Sequence, residues 1–219
     1  MNRQLNRLVK KSAYVVVSSQ RVKDEMERYY GPYKKKIKVI PFGIPFDFQD
    51  TSVKRREKFF LYVGMNHPIK NVKKMVELFD QFRLLKKEYN SYRLYLVGPF
   101  TGFKRSNKNI RTFAKLKRDE LKQLYQKSSG YLSTSHYESF NLPALEALSQ
   151  NCQVITMESA IIPELSKYTL NASTDEKFIE MMCKAADHEA KPVNTKALFK
   201  EFSWQTYVET LTGLYKTLI

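Results

Sequence analysis

Short apolar runs alternate with amphipathic stretches along most of the chain. The apolar runs predict six β-strands, at residues 14–17, 37–40, 59–63, 93–97, 131–133 and 153–156. Helical spacing of apolar residues predicts helices at residues 71–88, 119–126 and 143–150. Strands that alternate with helices are typical of an α/β protein, in which helices cover both faces of a parallel sheet.

The pattern changes after Asp175. Residues 178–190, 195–202 and 204–218 all have helical spacing, with no strand pattern between them, and predict a helical C-terminal tail. Residues 41–50 (PFGIPFDFQD) have two prolines, one glycine and little periodicity, which predicts a linker into the main domain. The residues before it hold only a helix, a strand, a helix and a strand, too little to build a core alone.

Charge adds a preference for anionic partners. The 219 residues include 38 Lys and Arg against 22 Asp and Glu, a net charge of +16, which favours phosphates, nucleic acid or acidic lipid headgroups. The bases cluster at residues 33–38, 54–58 and 103–118. Such runs are most often solvated loop faces, with phosphate or membrane contact as the alternatives. A nucleic-acid partner is not expected, because no known nucleic-acid motif accompanies the charge.

Cysteine usage and hydropathy bear on the compartment. Cys152 and Cys183 have no metal-ligand spacing, so neither a zinc site nor a disulfide framework is predicted, and a reducing cytoplasm is the simple expectation. The first residues, MNRQLNRLVKK, are polar, and no apolar stretch approaches the roughly 18 residues of a membrane span. We therefore expect neither a signal peptide nor a spanning helix.

One loop carries candidate chemistry. The seven glycines form neither GxGxxG nor a P-loop, which disfavours a dehydrogenase or a P-loop kinase. Residues 137–147, YESFNLPALEA, instead connect a predicted strand to a helix that begins at Pro143. Backbone N–H groups and a helix dipole at such a place can bind a diphosphate, and Glu146 could accept hydrogen bonds from two ribose hydroxyls. Alternatively, Glu138 and Glu146 only stabilise the start of the helix.

The segment SHYESFNLPALEALSQNCQVIT resembles the signature of the group 1 (family 4) retaining glycosyltransferases. That signature has two glutamates with seven residues between them, and Glu138 and Glu146 match them. Ser139 and Asn141 replace two common glycines, and asparagine tolerates left-handed backbone angles better than most residues. Other segments follow in the family's order: VVVSSQRVKDEM, IKVIPFGI, YVGMNHPIKNVKKMVELF, LYLVGPF, DELKQLYQKSSGYLSTS, AIIPEL and FSWQTYVETLTGLYKTL.

The resemblance implies a Rossmann-like sheet with helices on both faces, the C-terminal half of a GT-B enzyme. Residues 1–45 would be the last elements of the N-terminal domain and the crossover, residues 46–200 the donor-binding domain, and residues 201–219 a helix that returns to the first domain. It also implies transfer of a hexosyl group, with retention, from a nucleoside-diphosphate sugar to a glycan or lipid-linked acceptor. No metal or other cofactor is expected.

The missing first half leaves an alternative open. The chain could be a catalytically incomplete nucleotide-binding or subunit-interaction module that needs a separate N-terminal domain. That domain, or a second copy of the chain, is the expected protein partner. Peripheral contact with the inner face of a membrane is a further expectation, because of the positive charge and the lipid-linked acceptors common in the family.

Site residues follow from the resemblance, position by position. Glu138 would face the donor sugar, Lys70 would offset charge on the leaving diphosphate, and Glu146 would hold the ribose. The other donor-binding positions are Gly64, Asn66, Leu116, Ser139, Phe140, Asn141 and Leu142. Phe113 would line the base pocket with Leu116, although two apolar residues near a strand end are more often core.

One residue departs from the family's pattern in its charge. Met65 stands where the family commonly has an arginine, and Asn66 or His67 could replace its hydrogen bonds but not its permanent charge. His136, two residues before Glu138, could touch substrate, but a packed or solvent-facing role is the more ordinary one for a histidine.

Overall fold

A computed structural model of the chain describes residues 3–49, 55–100 and 108–218. Its strands are β1 Val15–Val17, β2 Ile37–Val39, β3 Glu57–Val63, β4 Arg93–Val97, β5 Ile110–Phe113, β6 Ser128–Ser133, β7 Val154–Met157 and β8 Leu170–Ala172. Its α-helices are α1 Arg3–Lys11, α2 Gln20–Tyr29, α3 Val72–Leu85, α4 Arg118–Lys127, α5 Leu142–Ser149, α6 Asp175–Ala186, α7 Thr195–Glu201 and α8 Trp204–Lys216.

Strands β3 to β8 form one sheet in the order β5-β4-β3-β6-β7-β8, and every neighbouring pair is parallel. The central strand β3 is buried on both faces. Phe59 and Leu61 belong to the core on one face, and Phe60 and Tyr62 to the core on the other. A strand covered on both sides needs a continuous apolar run, which residues 59–63 provide.

Helices cover both faces of this sheet. Helices α3 and α6 pack on the face of Phe60, and helices α4, α5 and α7 on the face of Phe59. The apolar stripe predicted along residues 71–88 is the packed surface of α3, where Val72, Met75, Leu78, Phe79 and Phe82 are buried. The predicted α/β fold, a Rossmann-like parallel sheet with helices on both faces, is confirmed.

The first elements form a separate small sheet. Helix, strand, helix and strand follow in the predicted order, and β1 pairs in parallel with β2 from Val15 opposite Ile37 to Val17 opposite Val39. Each of these two strands has a single partner within the described residues. The chain then enters the large core, where Ile44 and Phe48 are fully buried. The domain boundaries at residues 45 and 200 stay predictions.

The last helix, α8, packs on residues 42 and 43, which follow strand β2. Trp204 packs so closely on Gly43 that a Cβ at this glycine would overlap its backbone and ring. Phe42 stacks on Tyr207 with ring centroids 6.3 Å apart. Helix α8 itself has no fully buried side chain. The predicted helical C-terminal tail is therefore present, and it packs on residues near the end of the small sheet.

The side chain of Arg56 connects the C-terminal ends of helices α4 and α5. Arg56 donates hydrogen bonds to the carbonyls of Tyr125 and Gln126 at the end of α4, at 3.0 and 2.7 Å, and to that of Asn151 just after α5. Carbonyls at a helix C-terminus lack partners within the helix and carry partial negative charge. The Arg56 guanidinium supplies both hydrogen-bond donors for these carbonyls and a positive charge beside them.

The observed elements differ from the predicted ones in a few places. Strands β5 and β8 are not predicted by the sequence pattern, because both are short edge strands and β5 contains the exposed Arg111. The helix predicted at residues 71–88 ends at Leu85, and a 3-10 turn, Lys87–Ser91, follows it. The basic runs at 54–58 and 103–118 lie partly outside the described residues.

Within the described ranges, every helix is too short or too polar to cross a membrane.

Candidate functional site

The strand order of the large sheet reverses between β3 and β6. After β3 the chain moves outward to β4 and β5, and it then returns to the other side of β3 to form β6, β7 and β8. In open parallel sheets, ligands bind in the crevice at the carboxyl ends of the strands where such a reversal occurs. The loops at this point are residues 64–71, after β3, and residues 134–141, after β6.

Local backbone chemistry fixes Lys70 at the first loop. It ends the 3-10 turn Pro68–Lys70, whose start is capped by His67, with Nδ1 accepting a hydrogen bond from the backbone N–H of Ile69 at 3.3 Å. Asn71 follows in a left-handed conformation, with φ +49°, and helix α3 begins at the next residue. Lys70 is therefore held directly before a helix N-terminus.

Glu138 lies opposite Lys70 across the crevice. The Lys70 amine donates to both carboxylate oxygens of Glu138, at 2.9 and 2.7 Å. The Ser135 hydroxyl donates to one of the same oxygens at 2.7 Å. Glu138 is only 7% exposed, and a buried carboxylate requires such partners. The structure thus brings together the two residues predicted to act on the donor.

Hydrogen bonds to main-chain carbonyls join the two loops. The N–H of His136 donates to the carbonyl of Ile69 at 2.8 Å, and the Thr134 hydroxyl donates to that of Asn71 at 2.9 Å. The side chain of His136 is exposed. Its main-chain contact therefore fixes the spacing of the crevice, whatever its imidazole does.

Glycines follow both β3 and β4, at two positions where a side chain would collide with its surroundings. A Cβ at Gly64 would lie 2.6 Å from the hydroxyl of Tyr62, which donates to the carbonyl of Met65 at 3.1 Å. A Cβ at Gly98 would overlap the carbonyl oxygen of Gly64. Burial, and secondarily the negative charge of Glu138, raise the pKa of Tyr62, so this hydroxyl stays a neutral donor. Gly98 was not among the predicted site residues.

Asn141 shapes the start of α5. It adopts φ +61° and ψ +64°, and its side-chain oxygen accepts a hydrogen bond from the N–H of Ala144 at 3.3 Å. Its amide nitrogen donates to the Ser133 hydroxyl at 3.3 Å. Asparagine therefore supplies both the left-handed turn and the helix cap that this loop needs.

The loop before α5 has open backbone donors. Within the described residues, the N–H groups of Glu138, Ser139 and Phe140 donate to no protein acceptor. The side chain of Ser139 is exposed, whereas Phe140 is buried against Phe42 with ring centroids 5.3 Å apart. Phe140 can therefore contribute to a ligand only through its backbone.

Glu146 lies on α5 and is 7% exposed. Its carboxylate accepts hydrogen bonds from the Arg118 guanidinium at 3.0 Å and from the Tyr125 hydroxyl at 3.1 Å. Burial raises the pKa of Glu146, and the charge and hydrogen bond of Arg118 oppose that effect. The Arg118 contact is not predicted by any local sequence pattern, because the two residues are 28 positions apart in the chain.

The remaining predicted positions divide into exposed and packed residues. Asn66 and Leu142 are exposed at the crevice loops, and so is Met65, at 56%. Phe113 and Leu116 pack against the core beneath α4 and α5. Their proposed contact with a nucleotide base stays a prediction.

The small sheet contributes contacts that the sequence analysis did not anticipate. The buried Ser19, at the start of α2, donates to the carbonyl of Ser139 at 2.6 Å. The Tyr137 hydroxyl donates to Glu25 at 2.9 Å, and the Arg21 guanidinium lies 4.7 Å from the centre of the Tyr137 ring. Residues on both sides of Glu138 are therefore fastened to α2.

A cluster of metal ligands or a large surface depression could mark a functional site other than the crevice. Across the described residues, no group of three His, Cys, Asp or Glu side chains is placed to hold a metal ion. A depression of about 560 Å³ lined by Arg55, Lys58 and His188 lies at the amino-terminal edge of the sheet, and a larger one of about 700 Å³ is lined by Gln153, Leu170 and Lys191. Because the carboxyl edge carries Lys70 and Glu138, the crevice there is the better candidate.

Comparison with known proteins identifies a family. The model of "Glycosyl transferases group 1" matches residues 43–172. The O-antigen chain mannosyltransferase RfbU of Salmonella typhimurium is 29% identical over 169 residues, which cover 72% of this chain and 45% of that protein. A probable sucrose-phosphate synthase of Thermosipho melanesiensis is 27% identical over 224 aligned positions, which cover 90% of this chain and 52% of that protein.

Solved structures share the fold. The pneumococcal O-GlcNAc transferase GtfA, in complex with UDP and GlcNAc, superposes with a TM-score of 0.76 at 14% identity, over 98% of this chain and 47% of that one. The chain spans about half the length of the relatives it matches.

Asn141 offers a test of the loop geometry. Asn141→Ala should destabilise the protein by about 2 kcal/mol, because alanine loses the helix cap and disfavours a positive φ. Asn141→Gly should cost only a few tenths of a kcal/mol, because glycine adopts the same φ freely. Urea denaturation of both variants measures the difference, and equal losses would contradict this account of the loop.

Proposed function

Because the chain belongs to the group 1 glycosyl transferases, we propose that it is the donor-binding half of a retaining enzyme. This enzyme transfers a hexosyl group from a nucleoside-diphosphate sugar to a glycan or a lipid-linked acceptor. One observation carries the proposal: Lys70, Glu138 and the open N–H groups before α5 meet in the crevice at the strand reversal. Glycosyl transfer from such a donor needs a cationic and N–H-rich place for the diphosphate.

The diphosphate would bind between Lys70 and the start of α5. An ammonium group has three donors, and Lys70 uses two of them on Glu138. The third donor, together with the backbone N–H groups of Ser139 and Phe140, can serve phosphate oxygens. The helix dipole of α5 adds a partial positive charge at the same place. Negative charge grows on the leaving nucleoside diphosphate during transfer, so these groups favour the transition state.

The two glutamates would bind the other parts of the donor. Glu138, held by Lys70 and Ser135, would accept hydrogen bonds from hydroxyls of the transferred sugar. Glu146 would accept hydrogen bonds from the ribose. The proposal that transfer retains the anomeric configuration rests on the spacing of these two glutamates, which resembles the signature of the retaining family.

The names of relatives support the substrate class. The Salmonella relative is a mannosyltransferase, the Thermosipho relative is a probable sucrose-phosphate synthase, and the pneumococcal structure contains UDP and GlcNAc. All three names fit transfer of a hexosyl group, and the UDP fits a nucleotide donor. We propose the same donor class for this chain, bound without a metal ion.

Nucleotide titration tests the donor site. We expect UDP, GDP or ADP to bind the isolated chain in calorimetry, and chelation of metals by EDTA to leave the affinity unchanged. Lys70→Met and Glu146→Gln should each weaken binding at least about tenfold, because each removes a charged hydrogen-bonding group worth about 1.5 kcal/mol or more. The charge of Lys70 matters especially because Met65 supplies none.

Lys73→Met is the matched control, since Lys73 is an exposed lysine three residues further along. It should bind nucleotide like the original protein. Equal affinity in Lys70→Met and the original protein would refute the diphosphate site, and absence of binding for all three nucleotides would refute the donor-binding function.

A second candidate function follows from the small sheet. Strands β1 and β2 each have one neighbour within the described residues, and Val16 is partly exposed. Unpaired strand edges invite pairing with another polypeptide. The chain could therefore be an incomplete nucleotide-binding module whose acceptor site lies on a separate N-terminal domain or on another subunit, with a second copy of the chain as the alternative partner.

Fusion to an N-terminal domain distinguishes the two functions. We expect a chimera that joins the N-terminal domain of the Salmonella relative ahead of residue 1 to transfer sugar from a nucleotide donor, measured by release of nucleoside diphosphate in the presence of that relative's acceptor. Glu138→Gln in the chimera should abolish transfer, whereas Glu77→Gln, at an exposed position on α3, should not. A folded chimera that binds nucleotide but releases no product would favour the binding module.

The positive charge of residues 1–45, which include the small sheet, supports membrane contact. Residues 1–45 contain eleven Lys and Arg against three Asp and Glu, a net charge of +8 out of the total of +16. Lys34 and Lys35 are exposed on a 3-10 turn, and α1 exposes Leu5 and Leu8 beside basic residues. Exposed bases beside apolar side chains favour an anionic bilayer surface. We propose that a cytoplasmic protein uses this face to attach to the inner side of a membrane.

Vesicle sedimentation tests the attachment. The protein should co-sediment with phosphatidylserine-containing vesicles at low salt and remain in solution with phosphatidylcholine alone. Replacing both Lys34 and Lys35 by Gln should weaken binding at least about tenfold, since each lysine near such a surface contributes roughly 1 kcal/mol. Replacing both Lys73 and Lys87 by Gln should have little effect, because these two exposed lysines lie on α3 and in the turn after it, away from residues 1–45 in the sequence. Unchanged sedimentation of the Lys34, Lys35 variant would count against this surface.

A further inference from the structure

Arg118 occupies an unusual position for a cation. It is the first residue of α4, and positive charge is unfavourable at the positive end of a helix dipole. Two carboxylates compensate for this. The guanidinium donates to both oxygens of Asp47, at 2.7 and 3.0 Å, and to one oxygen of Glu146 at 3.0 Å. It also lies 4.6 Å from the centre of the Phe48 ring.

Glu146 needs such a partner more than Asp47 does. The Glu146 side chain is 10% exposed, whereas that of Asp47 is 41% exposed. Removal from water disfavours an ionised carboxylate unless charge or hydrogen bonds compensate. Among the residues that the structure describes, the groups that face Glu146 are Arg118 and Tyr125 from α4, Asp47 from the segment before β3, and Tyr131 from β6. Arg118 is the only cation among them.

The hydrogen bonds of Glu146 leave room for a ligand. An ionised carboxylate offers about four acceptor sites, and within the described residues Arg118 and Tyr125 occupy one on each oxygen. Two adjacent hydroxyls, as on a ribose, can use the remaining sites. A protonated carboxyl would lose acceptor capacity, so ribose binding depends on keeping Glu146 ionised.

We infer that Arg118 is a positioning residue for nucleotide binding, which holds the Glu146 carboxylate charged and oriented towards the ribose and fastens it to the entering segment at Asp47. The inference rests on the proposed donor site. Lysine could supply the charge, but only a guanidinium has the planar set of donors that spans Asp47 and Glu146 together. Binding of a nucleotide is thereby coupled to the position of residues 46–48, which form a 3-10 turn.

Titration of Glu146 tests the electrostatic part in the ligand-free protein. Carbon-13 NMR of glutamate labelled at Cδ, with the Glu146 signal assigned by its loss in Glu146→Gln, follows this carboxyl directly. Arg118→Met should move the titration midpoint upward by about one pH unit or more. Arg118→Lys should give an intermediate midpoint. Arg28→Met, at an exposed arginine of α2, is the matched control and should leave it unchanged.

Nucleotide affinity measured against pH tests the positioning part. The ionised form of Glu146 binds, so affinity falls as pH drops through its pKa. In Arg118→Met this fall should begin at a higher pH than in the original protein, and Arg118→Lys should restore part of the difference. A merely structural contribution would weaken binding by the same factor at every pH.

The outcomes separate the inference from the proposed function. A Glu146 midpoint that is unchanged in both Arg118 variants overturns the inference alone, and so does a loss of affinity that is equal at every pH. If Arg118→Met fails to fold, Arg118→Lys decides by the same two measurements. Failure of the original protein to bind any nucleoside diphosphate overturns the proposed function and the inference with it.

Discussion

The reversal of strand order beside β3 is the constraint on which the rest of the structure depends. Because all six strands are parallel, their carboxyl ends meet at one edge, and the reversal leaves a crevice there that no crossover helix fills. The loops after β3 and β6 can then face each other. A main-chain hydrogen bond from His136 to Ile69 and a bond from the Thr134 hydroxyl to the carbonyl of Asn71 fix their separation. The Lys70 to Glu138 ion pair is a consequence of this geometry.

Two cations face three carboxylates in the described part of the crevice. Lys70 is paired with Glu138, and Arg118 is shared between Asp47 and Glu146. Buried carboxylates would be costly without these cations. The same pairing means that a diphosphate must share Lys70 with Glu138, and that open N–H groups and a helix dipole supply the remaining attraction. Exposed Met65 adds none.

Periodicity predicted the sheet and its covering helices because the central strand β3 contains an apolar run, Phe59 to Val63, and because α3 has a regular apolar stripe. The two edge strands could not be predicted from periodicity. Strand β8 has only three residues, and Arg111 interrupts the apolar pattern of β5. The spacing of the two glutamates, together with a family resemblance, indicated Lys70, Glu138 and Glu146. Arg118, Asp47 and Ser19 could not be found in this way, because their contacts join residues that are far apart in the chain and carry no local pattern.

Gly64 and Gly98 carry no reactive group, yet the backbone of one rests directly on the other. A side chain at Gly98 would displace the carbonyl of Gly64 and, with it, the loop that leads to Lys70. Evolutionary drift at these two positions is therefore restricted jointly, by contact between neighbouring main chains. A lineage can exchange the exposed residue at position 65 and keep its fold, but it cannot gain a methyl group at position 98 without rebuilding the crevice.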